Sequence, residues 1–226
     1  MKQISEHDYQ DLVEGAELLK KDTHGDKVWR LVDGRIAKLF RVKRRISSAR
    51  LSSYAKRFKQ NSEKLKRRGI QTITVDEYVE CKEIERQIII YHYLPGETLE
   101  ELFSENPDSP ELIEKFARFL ARLHGDGIYF RSVHMGNVVL CENGELGIID
   151  ITDIRFSIFA LRPWQRARNF YHMLRRPLES GVIHAFGISR FIDTYLETAK
   201  LSSLKKILFL RYLPRSILQG PLTEKA

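Results

Sequence analysis

The sequence predicts an α+β protein with its sheet first and its helices after. Three observations carry this. Residues 16–40, AELLKKDTHGDKVWRLVDGRIAKLF, alternate short apolar runs with turn signals at DTHGD and VDG, the pattern of strands joined by tight turns. Residues 110–124, PELIEKFARFLARLH, place apolar residues three and four apart, the pattern of an amphipathic helix. Beyond Asp150, helical spacing recurs over 163–175, 188–200 and 201–212. Strands followed by helices give an α+β arrangement rather than alternating units.

Taken in order, 16–40 yields three antiparallel strands, the third carrying IAKLF. Residues 48–68 hold no Gly or Pro and read as a helix with Tyr54, Phe58, Asn61 and Leu65 near one face; Gly69 is placed to end it. TITVDEYVE and RQIIIYHYL are two further strands, the second apolar enough to be central. Pro95-Gly96 breaks that strand. Thr98 then reads as an N-cap, with Glu101 at the capping-box position. In 110–124, Pro110 suits a first turn, and Leu112, Ile113, Phe116, Leu120 and Leu123 form one apolar stripe. VVLCENGELGIID reads as a hairpin turning at Glu142-Asn143-Gly144. Two domains are expected, 1–93 and 94–226.

The chain has 226 residues and is 42% hydrophobic, enough for a sizeable core. No apolar run reaches the roughly 18–20 residues of a membrane span. The N-terminus, MKQISEHDYQ, is polar and does not read as a secretory signal. Cys81 and Cys141 lack a CxxC partner or zinc spacing and read as reduced, structural thiols. The net charge is +8, and residues 41–68 hold twelve Lys/Arg against one acid, Glu63. Such a cluster is either a solvated helix face or a surface for polyanions. Nucleic-acid binding has only this charge in its favour, with no interleaved aromatics and no recognisable motif.

Chemistry is concentrated in three places. Lys38 lies on the third strand. FRSVHMGN, 130–137, ends in Asn137. Asp150 follows the hairpin. Phosphoryl transfer needs a cation on phosphates, oxygen ligands for Mg²⁺, and a group that orients the acceptor hydroxyl. A strand Lys, a loop Asn and an Asp after a hairpin supply the first two in kinase order.

LARLHGDGIYFRSVHMGNVVL and LGIIDITD resemble the lipopolysaccharide core (Kdo/heptose) kinases, which share the bilobal protein-kinase-like fold. DTHGDKVWRL, GRIAKLFRVKRRISSARL and YHYLPGETL are similar to the toluene-tolerance or InaA-like branch. The resemblance covers about residues 15–170. It implies ATP, Mg²⁺ and transfer to a sugar hydroxyl of the lipopolysaccharide core. It assigns Lys38 to nucleotide phosphates, Asn137 and Asp150 to Mg²⁺, and Tyr91–Leu94 to an adenine-facing connector. Gly25 is the one glycine of the phosphate-covering turn. His134 and Gly136 match the loop pattern, and His124 the end of the preceding helix, where packing is the expected role.

Two positions depart from the family. Ser132 stands where the catalytic Asp belongs, and Phe58 where a helix Glu would pair with Lys38. Asp153 or His134 is therefore expected to orient the acceptor. The alternative is a kinase-fold pseudoenzyme with a regulatory or binding role in the cell envelope. The acceptor would be lipopolysaccharide core or another phosphorylated glycolipid, met in the cytoplasm or at the inner membrane surface. The basic, apolar segment 201–218 is either a membrane-surface helix or a core helix.

Overall fold

The computed structural model describes residues 1–23, 25–42 and 53–215. Residues 43–52 of the sequence-predicted basic cluster, with the first residues of its helix, and the last residues of 201–218 lie outside that range. The chain divides into two compact units: Met1–Pro95 with Ile148–Thr152, and Gly96–Gly147 with Asp153–Ala226.

The first unit begins with β1 (Lys2–Ile4) and α1 (Glu6–Val13). Ser5 caps α1 reciprocally with Asp8, satisfying two otherwise orphaned backbone donors. Then come β2 (Glu17–Asp22), β3 (Gly25–Arg30) and β4 (Ile36–Arg41), the three expected strands. After α2 (Tyr54–Arg67) and the two-residue β5 (Gln71–Thr72), β6 (Thr74–Cys81) and β7 (Arg86–His92) complete a six-stranded sheet. Its order is β1-β6-β7-β4-β3-β2. All pairings are antiparallel except that of β1 with β6.

β4 and β7 are central and largely buried. Ala37 and Leu39 join Tyr9 of α1, Val79, Ile88 and Ile90 in one core cluster. The side chain of Lys38 alternates to the opposite face, where the fully buried Phe58 of α2 lies. α2 ends as the sequence predicts. Gly69 takes φ +66°, and the Ile70 N–H donates to the Leu65 carbonyl, the wide bond of a Schellman motif.

The second unit opens with β8 (Gly96–Thr98), which caps α3 (Leu99–Glu105) through the Thr98–Glu101 box. α4 (Pro110–Gly125) buries Ile113, Phe116, Leu120 and Leu123 as expected. β9 (Ile128–Phe130) precedes the loop and a 3-10 turn, Met135–Asn137. β10 (Val138–Cys141) and β11 (Leu146–Ile148) form the hairpin, with Gly144 at φ +79°. The chain then crosses to the first unit and returns as β12 (Ile154–Phe156), paired with β9. α5 (Pro163–Leu174), α6 (Pro177–Phe186), α7 (Ile188–Ala199) and α8 (Ser203–Tyr212) follow.

α8 docks mainly through Phe209, whose ring lies 5.4 Å from Phe170 and 5.3 Å from Tyr195. Leu204 and Ile207 of the same helix remain exposed. Cys81 and Cys141 are both free and buried. No helix among the described residues is long and apolar enough to cross a membrane.

Candidate active site

A lysine on a buried strand must find a counter-charge or lose its proton. Lys38 finds Asp150: Nζ donates to Oδ1 at 2.7 Å. The helix partner is instead aromatic. The Phe58 ring centroid lies 5.1 Å from Lys38 Nζ and that of Phe40 5.8 Å, so the ammonium also meets two π faces.

Asp150 is held by its neighbours. The Thr72 hydroxyl donates to the Ile148 carbonyl at 2.8 Å, and Asn61 Nδ2 to the Ile151 carbonyl at 2.7 Å. Ile148 and Ile151 are fully buried. Between these anchors Asp150 adopts φ +52°, a left-handed conformation uncommon outside glycine. Its side chain nonetheless stays 54% exposed. Burial pushes its carboxyl up, but the charge and hydrogen bond of Lys38 outweigh this, with help from Lys20 and Lys27, and hold it below the ordinary carboxylate range. The lysines of the β2–β3 ribbon therefore act on the same carboxylate.

Of the other nucleotide candidates, Gly25 begins β3 at φ +108°. Tyr91 ends up against Phe58, with centroids 5.4 Å apart. Burial drives its hydroxyl well above the usual range, and the charge of Asp150 pushes the same way. Leu94 is buried.

The second unit builds the loop. The Asn137 N–H bonds the His134 carbonyl at 2.9 Å. Asn137 Nδ2 donates to the Ser132 carbonyl at 3.1 Å, which turns Oδ1 away from that bond. Ser132 is partly exposed and Asn137 buried. Asp153 is exposed at the end of a 3-10 turn, Ile151–Asp153.

Two carboxylates near this loop have no sequence signature. Glu179 of α6 is buried, and its Oε1 accepts from the Met135 N–H at 2.7 Å. Arg176 Nε stands 3.5 Å from its other oxygen. Glu100, in the first turn of α3, brings its carboxylate against Gly136: a Cβ there would collide with Glu100 Oε2 and lie 3.2 Å from His134 Nδ1. Only glycine at 136 leaves room for that approach. The 44-residue separation of Glu179 from Met135 hides the first contact from a linear reading. The missed N-terminal helix did have a signal, the Ser5/Asp8 capping pair.

His124 has the expected structural role. Asn169 Nδ2 donates to the Phe130 carbonyl at 2.8 Å, so Asn169 Oδ1 accepts from His124 Nε2 at 2.8 Å. Nδ1 then accepts from Tyr195 Oη at 2.8 Å, and that oxygen accepts from Arg166 Nη1 at 2.9 Å. Burial is the main force holding this imidazole neutral, down to about 3.

No family model matches the chain, and no curated protein matches it. Solved structures do match. Among them is the crystal structure of monomeric WbdD, 16% identical, with a TM-score of 0.48 over 83% of this chain. The chain spans 43% of that structure's length.

Proposed function

We propose that the chain is an ATP-dependent phosphotransferase of the lipopolysaccharide kinase type, acting on a sugar hydroxyl of the lipopolysaccharide core. The observation that carries this reading is the Lys38–Asp150 pair, 2.7 Å apart and without a helix glutamate. An ion pair kept only for stability could be replaced by apolar side chains at little cost. Here Asp150 is held in a rare backbone conformation with over half its side chain open.

The donor set suits a hard cation. Asp150 is ionised and Asn137 offers an amide oxygen, both fitting ligands for Mg²⁺. Mg²⁺ held by either side chain would offset the charge of the nucleotide phosphates. Lys38, Lys20 and Lys27 would add cationic charge toward those phosphates, and Gly25 would let the β2–β3 turn approach them. Tyr91 and Leu94 would face the base. Asn137 keeps the loop closed on Ser132.

Ser132 cannot act as a carboxylate base near neutral pH. Losing a positioned base costs about 10²–10⁴ in rate, roughly 3–5 kcal/mol. His134 and Asp153 remain candidates for orienting the acceptor, and Glu100 joins them because its carboxylate reaches Gly136 beside His134. Ser132 and Phe58 favour a second reading, a kinase-fold pseudoenzyme with a regulatory or binding role in the cell envelope. Peripheral attachment to the inner membrane would use the exposed side of α8.

Two measurements separate these readings. Thermal unfolding with and without ATP and Mg²⁺ reports binding independently of turnover; a Tm unmoved by nucleotide would remove the phosphotransferase reading. Phosphate transfer to dephosphorylated core oligosaccharide, with Glu100→Gln, His134→Ala and Asp153→Ala alongside, reports catalysis. Absence of transfer with binding intact selects the pseudoenzyme.

A further inference from the structure

A cleft of about 350 Å³ in the second unit is lined by Tyr129, Arg131, Arg155, Trp164, Gln165 and Arg168, over Gly127 and Ser157. Three separate pieces of chain bring the arginines together. In the β9–β12 ribbon, Arg155 is the cross-strand partner of Tyr129. Ile128, Phe130 and Ile154 are buried, so alternation puts Tyr129 and Arg155 on the outer face. Arg131 follows β9 directly and precedes Ser132. Arg168 and Trp164 lie one turn apart on the open side of α5, whose other side buries Ala167 and Phe170.

The cleft floor is tight. Gly127 has φ +69°, and a Cβ there would fall 2.5 Å from the Ser157 carbonyl oxygen and 2.6 Å from that of Phe159. The site is thus built by close backbone approach as well as by surface side chains.

Two arginines of one helix show which kind is structural. Arg166 is buried, and its guanidinium donates to the Leu161 carbonyl, the His124 carbonyl and Tyr195 Oη. Arg168 is exposed and donates only to His172 Nε2, at 3.4 Å. Among the described residues, Arg131, Arg155 and Arg168 form no ion pair, and no carboxylate lines the cleft. Burial, with the charges of Arg168, Arg131 and Arg175, lowers the affinity of His172 for a proton, consistent with cationic groups crowded on this side. Three guanidinium forks with no internal anion suit an external phosphate or carboxylate. Trp164 is 44% exposed beside them, an apolar plane wide enough for one face of a sugar ring.

We propose that this cleft binds an anionic sugar, its phosphate or carboxylate held by Arg131, Arg155 and Arg168 and its ring laid on Trp164. As a docking point for the acceptor it rests on the phosphotransferase reading, since Arg131 adjoins Ser132; anion recognition itself does not.

Calorimetric titration of the full chain with glucose 6-phosphate, glucuronate, glucose and inorganic phosphate tests this, with ATP and Mg²⁺ titrated in parallel. The expected result is saturable, salt-sensitive binding of one or both charged sugars and none of glucose. Arg155→Ala and Arg168→Ala should each weaken it at least about tenfold while nucleotide binding is unchanged. Trp164→Ala should bring the charged sugar down to the affinity of inorganic phosphate. The tighter of glucose 6-phosphate and glucuronate identifies the anionic group. Absence of charged-sugar binding, or binding that survives both arginine substitutions, overturns the cleft. Loss of nucleotide binding alone overturns the phosphotransferase reading and leaves the cleft standing.

Discussion

The segment around Asp150 and the segment from Ser132 to Asn137 are both short, both bent and both held by side chains from elsewhere, yet they differ in charge. In the first, Thr72 and Asn61 fix the backbone and leave an ionised carboxylate half open beside Lys38. In the second, Glu179 fixes the backbone through the Met135 N–H, and the position due a carboxylate is Ser132. Under the proposed function, Lys38 and Asp150 would serve the nucleotide and its metal, and Ser132 would stand where the acceptor proton calls for a carboxylate.

Restoring the carboxylate should give the largest change. Ser132→Asp is expected to raise phosphate transfer by about 10² or more and to leave nucleotide affinity within about threefold, since 132 makes no contact with phosphates in this account. Turnover unchanged by the substitution would move the acceptor-activating role to Glu100, His134 or Asp153. Next is the loop brace. Glu179→Ala strands a buried N–H and opens a void, costing roughly 2–4 kcal/mol in urea unfolding. A loss under about 0.5 kcal/mol would mean that the loop holds itself, by the usual scatter of neutral substitutions.

The pH dependence of stability is a third test. His124 is held neutral down to about 3, whereas in the unfolded chain it takes up a proton near its ordinary value of about 6.5. The unfolded state then binds more protons between those values. Stability is fully present above about 6.5 and falls by about 1.4 kcal/mol per pH unit as pH drops toward 3. His124→Gln should be less stable throughout and lack this component; equal slopes would contradict the buried network. Asp150 comes last. Asp150→Asn should lower stability by roughly 1–3 kcal/mol, because it leaves the buried Lys38 ammonium without its counter-charge, while Asn keeps an accepting oxygen and tolerates a left-handed backbone.

Much of the first segment was legible in the sequence because its signals are local. Lys38 belongs to an apolar strand between two turns, and Asp150 follows a hairpin marked by Asn143-Gly144. Phe58, expected in place of the helix glutamate, lies under Lys38. The Thr98 capping box and α4 were equally local. What escaped depends on distant contact or on very short elements. Each strand of the β9–β12 ribbon has three residues, too few for period-two alternation to register. α6 carries Gly181 within it, a residue that weakens a helical reading, and with α6 went Glu179. A reading along the chain has no signal for Ile148–Thr152 packing with the first unit.

The central claim is that Lys38 and Asp150 exist to hold a nucleotide with its metal, and calorimetry tests it most directly. ATP with Mg²⁺ should bind the natural sequence saturably, and Asp150→Asn should bind about 100-fold more weakly while remaining cooperatively folded at the temperature of the titration. Equal affinity in the two proteins, or heat of binding from neither, would contradict it.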